Sequence, residues 1–230
     1  MTQETLFELK CAVHIAFKDL RTELRKKYEV FSMLIFGFIS ILVFSFSVGP
    51  FSRFANEMVP AIIWVVLLFA GMFGFSTIFT REMDQGTING LRMLPISPQA
   101  VFVGKALYGF FLMAIIEIII VPSSMILFNY SFNSDPLLVM AVFTLGTLNL
   151  AVIGAMVSGL TMYSESRAIL IPLLMLPLVL PVIIPCVTLT RSLALGATFN
   201  MAIPEFKIIT LSLIALSVAS ILLFEYVLPD

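Results

Sequence analysis

Uncharged stretches divide the chain into six blocks, residues 30–52, 58–80, 106–134, 136–164, 168–190 and 208–224, and Glu117 is the single charge inside any of them. Each block is close to the roughly 20 mostly apolar residues that a helix needs to cross about 30 Å of hydrocarbon. The blocks are continuous and lack the period-two alternation of barrel strands, so backbone hydrogen bonding in lipid leaves the α-helix as their only conformation. The pattern predicts an all-α membrane protein with six transmembrane helices over residues 30–230 and little else.

Residues 1–29 have a different rhythm. Leu6, Leu9, Val13, Phe17, Leu20, Leu24 and Tyr28 follow one another at spacings of three or four, which puts them on one narrow face of an N-terminal amphipathic interfacial helix. Lys10, His14, Lys18, Arg21 and Arg25 keep the same rhythm on one flank, and Glu4, Glu8, Asp19 and Glu23 fall on the far side. The apolar stripe suits a membrane surface, with the basic side chains reaching toward phosphates. The mixed-charge outer face also suits a docking partner; Phe17, Leu20, Arg21, Leu24 and Arg25 are the candidates for that contact.

Charge sharpens this division. Lys and Arg number 13 and Asp and Glu 14, only 12% of 230 residues, and 11 of these 27 charges lie before residue 30. No room remains for a soluble catalytic domain, and the net charge of -1 offers nothing to nucleic acid. Cys11 and Cys186 are too few and too far apart in character for a disulfide framework. Lacking a signal-peptide pattern, the first span is expected to be an uncleaved anchor. Six spans place both termini on one side. With that side cytoplasmic, Lys10, Lys18, Arg21, Arg25, Lys26, Lys27, Arg81, Arg92, Lys105 and Arg167 are inside, and only Arg53, Arg191 and Lys207 are outside.

The longest connection on the cytoplasmic side is residues 81–98. Ile88, Leu91 and Leu94 recur every three residues between Gly86 and Pro95, which predicts a short amphipathic helix clamped between two spans. Ser97 caps the next span and Pro98 sits in its first turn. Gly104-Lys105 is not a phosphate loop, since no glycine precedes it at the required spacing and Ala106 stands where Ser or Thr is needed. A rigid connection transmits a push from a soluble motor, whereas an ordinary structured loop has no such task; the residues alone leave both open.

Inside the membrane, Glu117 lies 12 residues beyond Lys105 and so near the bilayer midplane. A structural hydrogen bond and a role in substrate passage or coupling are both open for it. Pro172, Pro177, Pro181 and Pro185 predict a kinked fifth span, as a static shape or as a hinge. Gly146, Gly154 and Gly159, with Gly71 and Gly74, permit close helix packing within the chain or a permease dimer seam. His14 is the only histidine, so no catalytic group, metal site or cofactor site is expected on this chain.

Ile63-Trp64-Val65 through Phe69-Ala70, Phe79, Asp84-Gln-Gly-Thr-Ile-Asn-Gly-Leu91, Pro95, Gly104-Lys105, Leu145-Gly-Thr-Leu-Asn-Leu150, Ile153-Gly-Ala155 and Leu174-Met-Leu-Pro-Leu-Val-Leu-Pro181 together resemble the heme exporter protein B (CcmB) family, in order and spacing along nearly the whole chain. The resemblance implies an ABC-2-type (type V-like) permease of the cytochrome c maturation system in the cytoplasmic (inner) membrane. It also implies that ATP is bound by a separate CcmA-like ATPase and that heme is handled by the complex. CcmC-like, CcmD-like and CcmE-like proteins would be further partners, and the permease would form a dimer. By analogy with related permeases, the N-terminal helix and the loop residues Glu82, Asp84, Gly86, Ile88, Gly90, Leu91 and Pro95 would meet the ATPase. This chain departs from the family at Ile88-Asn89, where Leu-Glu is usual. A permease for another lipophilic substrate and a non-transporting scaffold for heme-handling proteins are the alternative readings.

Overall fold

The computed structural model describes residues 3–49, 55–88, 90, 93 and 96–227. Among the described residues every regular element is helical: α1 (Gln3–Lys26), α2 (Tyr28–Val48), α3 (Ala55–Phe75), the short α4 (Thr80–Asp84), α5 (Pro98–Leu127), α6 (Pro136–Thr161), α7 (Arg167–Ala194) and α8 (Phe199–Val227). Six segments are long and apolar enough to span a membrane, with α3 and α4 belonging to one of them. The expected number of spans and their approximate limits are therefore present. Capping follows the residues: the Ser97 hydroxyl accepts from the Ala100 amide at 3.3 Å with Pro98 in the first turn of α5. Asp135 does the same for α6, accepting from Leu137 N at 3.0 Å ahead of Pro136.

α6 is the centre of the bundle and touches α3, α5, α7 and α8. Its small residues make this possible. A Cβ on Gly146 would strike the Trp64 indole and the Cys186 sulfur, one on Gly154 the Phe75 ring, and one on Gly159 the Phe224 ring. Gly71 and Gly74 are filled in the same way, by Met113 and Phe75 and by Met33 and Leu112. These glycines are thus consumed by close packing inside the chain, and none of them is left to form a dimer seam. Trp64 completes the centre, stacked on Phe143 with centroids 5.3 Å apart and donating its Nε1–H to the Thr190 hydroxyl at 3.0 Å. Such an indole buries its ring without orphaning its polar edge.

α2 lies against α3 and α5 along Val30, Met33, Gly37, Ile41 and Ser45, a single stripe at helical spacing. α7 and α8 cover the other flank. α7 stays one continuous helix through Pro172, Pro177, Pro181 and Pro185. Each proline removes one backbone donor, but the span is not divided.

α1 does not cross the bundle. It packs on the first half of α5, and its closest approach is at Gly104, where a Cβ would lie 2.7 Å from the Ala12 carbonyl oxygen. One residue, Lys27, joins α1 to α2, with φ of 49°. With ψ of -41° the lysine lies in a sparsely populated positive-φ region that costs about 1–3 kcal/mol, sustained by the packing of both adjoining helices. Gly104→Ala forces backbone against side chain and is expected to destabilise the chain by about 1–3 kcal/mol. Gly90→Ala meets nothing within 4 Å and is expected to be neutral. Unfolding of both variants in mixed detergent micelles checks the pair.

Candidate functional site

The face that α1 turns toward α5 is not its apolar stripe. Ala12, Ile15, Ala16, Asp19 and Glu23 are buried, whereas Leu6, Leu9, Val13, Phe17 and Leu24 are exposed and Leu20 is half-buried. The small side chains at 12 and 16 allow helix–helix contact, and the acids at 19 and 23 continue the same face one and two turns later. Asp19 and Glu23, expected on the far, solvent-facing side with Glu8, are therefore corrected to the inner face. Lys10, His14, Lys18, Arg21 and Arg25 do stay exposed. His14 is held to its own helix through Nδ1 and the Lys10 carbonyl, 2.9 Å apart.

The buried acids have partners from three other helices. Lys105 of α5, 1% exposed, sets its ammonium 2.8 Å from Asp19 Oδ2, against Glu82 Oε1 of α4, and 3.1 Å from the Ile78 carbonyl oxygen, to which it donates. The same Nζ lies 5.4 Å from the centre of the Phe79 ring, a cation–π distance. Arg81 of α4 donates through Nη2 to Glu29 Oε2 at 2.5 Å and forms an ion pair with Glu23 Oε2, also at 2.5 Å. Glu29 also accepts from the Tyr28 hydroxyl at 3.0 Å, and the buried phenol of Tyr108 lies beside Glu23. Two cations thus clamp α1, the start of α2, α4 and α5 into one ionic hub.

Four carboxylates, Asp19, Glu23, Glu29 and Glu82, face the buried Lys105 and the half-buried Arg81. The excess of acid shows in Glu23. Burial lifts its carboxyl above the ordinary value of 4.5, the hydrogen bond with Glu29 adds to the rise, and Arg81 opposes it. Burying an ion costs several kcal/mol, which is offset only by close, hydrogen-bonded partners. The hub is a device for fixing geometry more than for adding stability.

The expected loop residues separate into inner and outer groups. Glu82 and Ile88 are buried, Glu82 as part of the hub. Asp84 is exposed and takes both bonds from Arg167 Nη2 at the start of α7, at 2.7 and 3.0 Å. Gly86 is exposed with φ of 67°, a left-handed position suited to glycine. Gly90 is exposed in open space. Leu91 and Pro95 lie outside the described residues. Far from this end, Glu117 accepts the Thr147 hydroxyl and joins α5 to α6. Among the described residues no group of three or more His, Cys, Asp or Glu could hold a metal ion.

The hub departs from the expected outer placement of Asp19 and Glu23, because acids opposite an apolar stripe ordinarily face water. The signal was available in the spacing: Ala12, Ala16, Asp19 and Glu23 share a face, and Arg81 and Lys105 are isolated cations at span ends.

Lys105→Met leaves Glu82 buried without a counter-ion and Asp19 with only the exposed Lys18, 3.0 Å away, and is expected to cost about 3–5 kcal/mol. Adding Asp19→Leu and Glu82→Met in the same chain is expected to restore most of that loss, as read by detergent unfolding. A second expectation concerns pH. The raised Glu23 carboxyl means the folded protein holds a proton that the unfolded chain has already released. Stability therefore falls as pH rises through the window that opens at 4.5 and ends at the raised value. Unfolding curves across that window should flatten in Glu23→Gln.

The family model described as CcmB protein matches residues 10–229. A heme exporter protein B from Paracoccus denitrificans is 27% identical over 203 residues, 88% of this chain and 93% of that one. Another from Rhodobacter capsulatus is 27% identical over 199 residues, covering 86% and 91%, and one from Haemophilus influenzae is 26% identical over 172 residues, covering 75% and 77%. The match takes in the inner face of α1, both hub cations and all six spans, and this multi-pass membrane protein belongs to the CcmB family.

Proposed function

We propose that this chain is the permease subunit of an ABC-type complex in cytochrome c biogenesis. In this reading a separate cytoplasmic CcmA-like ATPase binds ATP, and its hydrolysis drives heme export or the release of a heme-loaded CcmE-like chaperone. Heme is then cargo of the complex, CcmC-like and CcmD-like proteins are its membrane neighbours, and this chain carries no catalytic residue of its own. The membrane is the cytoplasmic one, with both termini on the ATPase side, in keeping with the distribution of Lys and Arg.

The observation that carries the proposal is the buried hub. Lys105 and Arg81 tie α1 to α4 and α5 through Asp19, Glu82 and Glu23. A force applied to α1 or to the connection after α4 therefore reaches the spans without being taken up in a loose joint. Family membership and the likeness to proteins known as heme exporter protein B supply the cargo. The coupling role then divides between two sets of residues. Glu82 and Ile88 act from inside, as positioning residues, while Asp84, Gly86 and Gly90 with Arg21 and Arg25 of α1 present the exposed surface to the ATPase.

Reversing charge on that surface tests the reading with no damage to the hub. Arg21→Glu with Arg25→Glu is expected to insert and purify normally while losing most of the co-purifying ATPase. Retention of a full complement of active ATPase would overturn it. In reconstituted vesicles of the complete complex, ATP-dependent heme movement and ATP-dependent chaperone release distinguish the two outputs, and absence of both would reject the function.

A further inference from the structure

The second span is not one continuous helix. α3 ends at Phe75 and α4 begins at Thr80, and the residues between are wound more tightly than an α-helix. Ser76 N still donates to Met72 O, four residues back, at 3.1 Å, but Thr77 N donates to Gly74 O and Ile78 N to Phe75 O, three residues back, both at 3.2 Å. Phe79 N leaves the helix and donates to the Ser158 hydroxyl of α6 at 3.2 Å. Ile78 O accepts from Lys105 of α5 at 3.1 Å. Three hydroxyls close carbonyls of the break from within: Ser76 onto Phe73 O at 2.7 Å, Thr77 onto Gly74 O at 2.9 Å and Thr80 onto Ser76 O at 2.5 Å. Hydroxyls bonded back in this way bend a helix, and a three-residue turn inside a helix marks a hinge or a strained point.

The groups in the break have alternative partners in the same chain. In a continuous helix Thr77 N would donate to Phe73 O, Ile78 N to Gly74 O and Phe79 N to Phe75 O, so rewinding loses no backbone bond. What changes is phase. A three-residue turn advances about 120° per residue and an α-helix about 100°, so restoring two residues turns α4 back by about 40°. A side chain about 5–6 Å from the axis then moves about 4 Å, enough to part an ion pair. The ion pairs of α4 oppose that turn from three sides: Arg81 on Glu23 of α1 and Glu29 of α2, Glu82 on Lys105 of α5, and Asp84 on Arg167 of α7. Of the five residues of α4 only Thr80 and Glu82 are buried, so these pairs are the main hold on its rotation.

We propose that residues 76–79 are a torsional joint in the second span, held overwound by the ion pairs of α4 and by Ser158, and that α4 rotates about its axis as the joint rewinds to α-helix once it is released. Ser158 is a positioning residue of this device. The ammonium of Lys105 holds both Ile78 O and Asp19, so the state of the joint and the seating of α1 act on each other. The joint works in the same way whatever the cargo, and whatever displaces α4.

Two variants test it. Ser158→Ala removes the hydroxyl that holds Phe79 N. The triple variant Ser76→Ala, Thr77→Ala and Arg167→Gln removes two hydroxyls of the break and the exposed clasp on Asp84, and touches no buried ion. With Cys11→Ser as background and the buried Cys186 left in place, a spin label on the exposed Gln85→Cys is measured against one on Val43→Cys or on Leu211→Cys, both exposed on other spans. Hydrogen exchange over residues 76–80 reads the joint itself. Both variants are expected to show a second population with at least one distance displaced by about 4 Å, and exchange no faster than in wild type. Unchanged distances in the triple variant would overturn the proposal, whether or not Ser158→Ala folds. Displacement with faster exchange would show a segment that melts instead of rewinding, and would overturn it equally.

Discussion

A lysine ammonium with almost no surface exposed dictates the arrangement at one end of this protein. Lys105 cannot be left in the interior without oxygen atoms on several sides, and α5 has none to offer. The oxygens come from Asp19 on α1, Glu82 on α4 and the Ile78 carbonyl between α3 and α4. Each of those elements is thereby positioned by one side chain. Gly104, next in the chain, supplies the matching steric condition by letting the α1 backbone close on α5. Ionic and steric conditions from adjacent residues meet on the same patch of helix, and neither would seat α1 without the other.

The rest of the bundle obeys a different constraint. In lipid there is no hydrophobic drive to bring apolar helices together, so contact must come from shape. α6 meets that condition by alternating absence with bulk: glycines where Trp64, Phe75 and Phe224 intrude, and buried aliphatics between them. Side chains that carry a polar edge into this core, such as Trp64 and Asn149, find acceptors on α7 and α8. The central helix is therefore engaged on most of its faces, with Leu137, Met140 and Leu160 left exposed near its ends.

Periodicity and charge were sufficient for the spans, the caps at Ser97 and the amphipathic character of α1, because these are local properties of the chain in a known solvent. They were insufficient for the orientation of α1. An apolar stripe looks like an inner face, yet in a membrane protein the outer face is also apolar, and the stripe from Leu6 to Leu24 stays open while acids turn inward. Hydropathy loses its sense of inside at the edge of a bilayer. The same ambiguity applied to the glycines of α6, whose spacing could not say whether the neighbouring helix belonged to this chain; the rings of Trp64 and Phe75 answer that only in three dimensions.

The sequence separation of the hub also has a bearing on how the protein is made. Asp19 and Glu23 leave the ribosome ahead of α2, and their partners Arg81 and Lys105 follow only with the second and third of the six spans. Until then the inner face of α1 has only its own Lys18, 3.0 Å from Asp19, beside its acids and no Gly104 surface to rest on. α1 is thus made ahead of these spans but seated only after three of the six, and its seating reports that this half of the membrane domain has been inserted in the correct order.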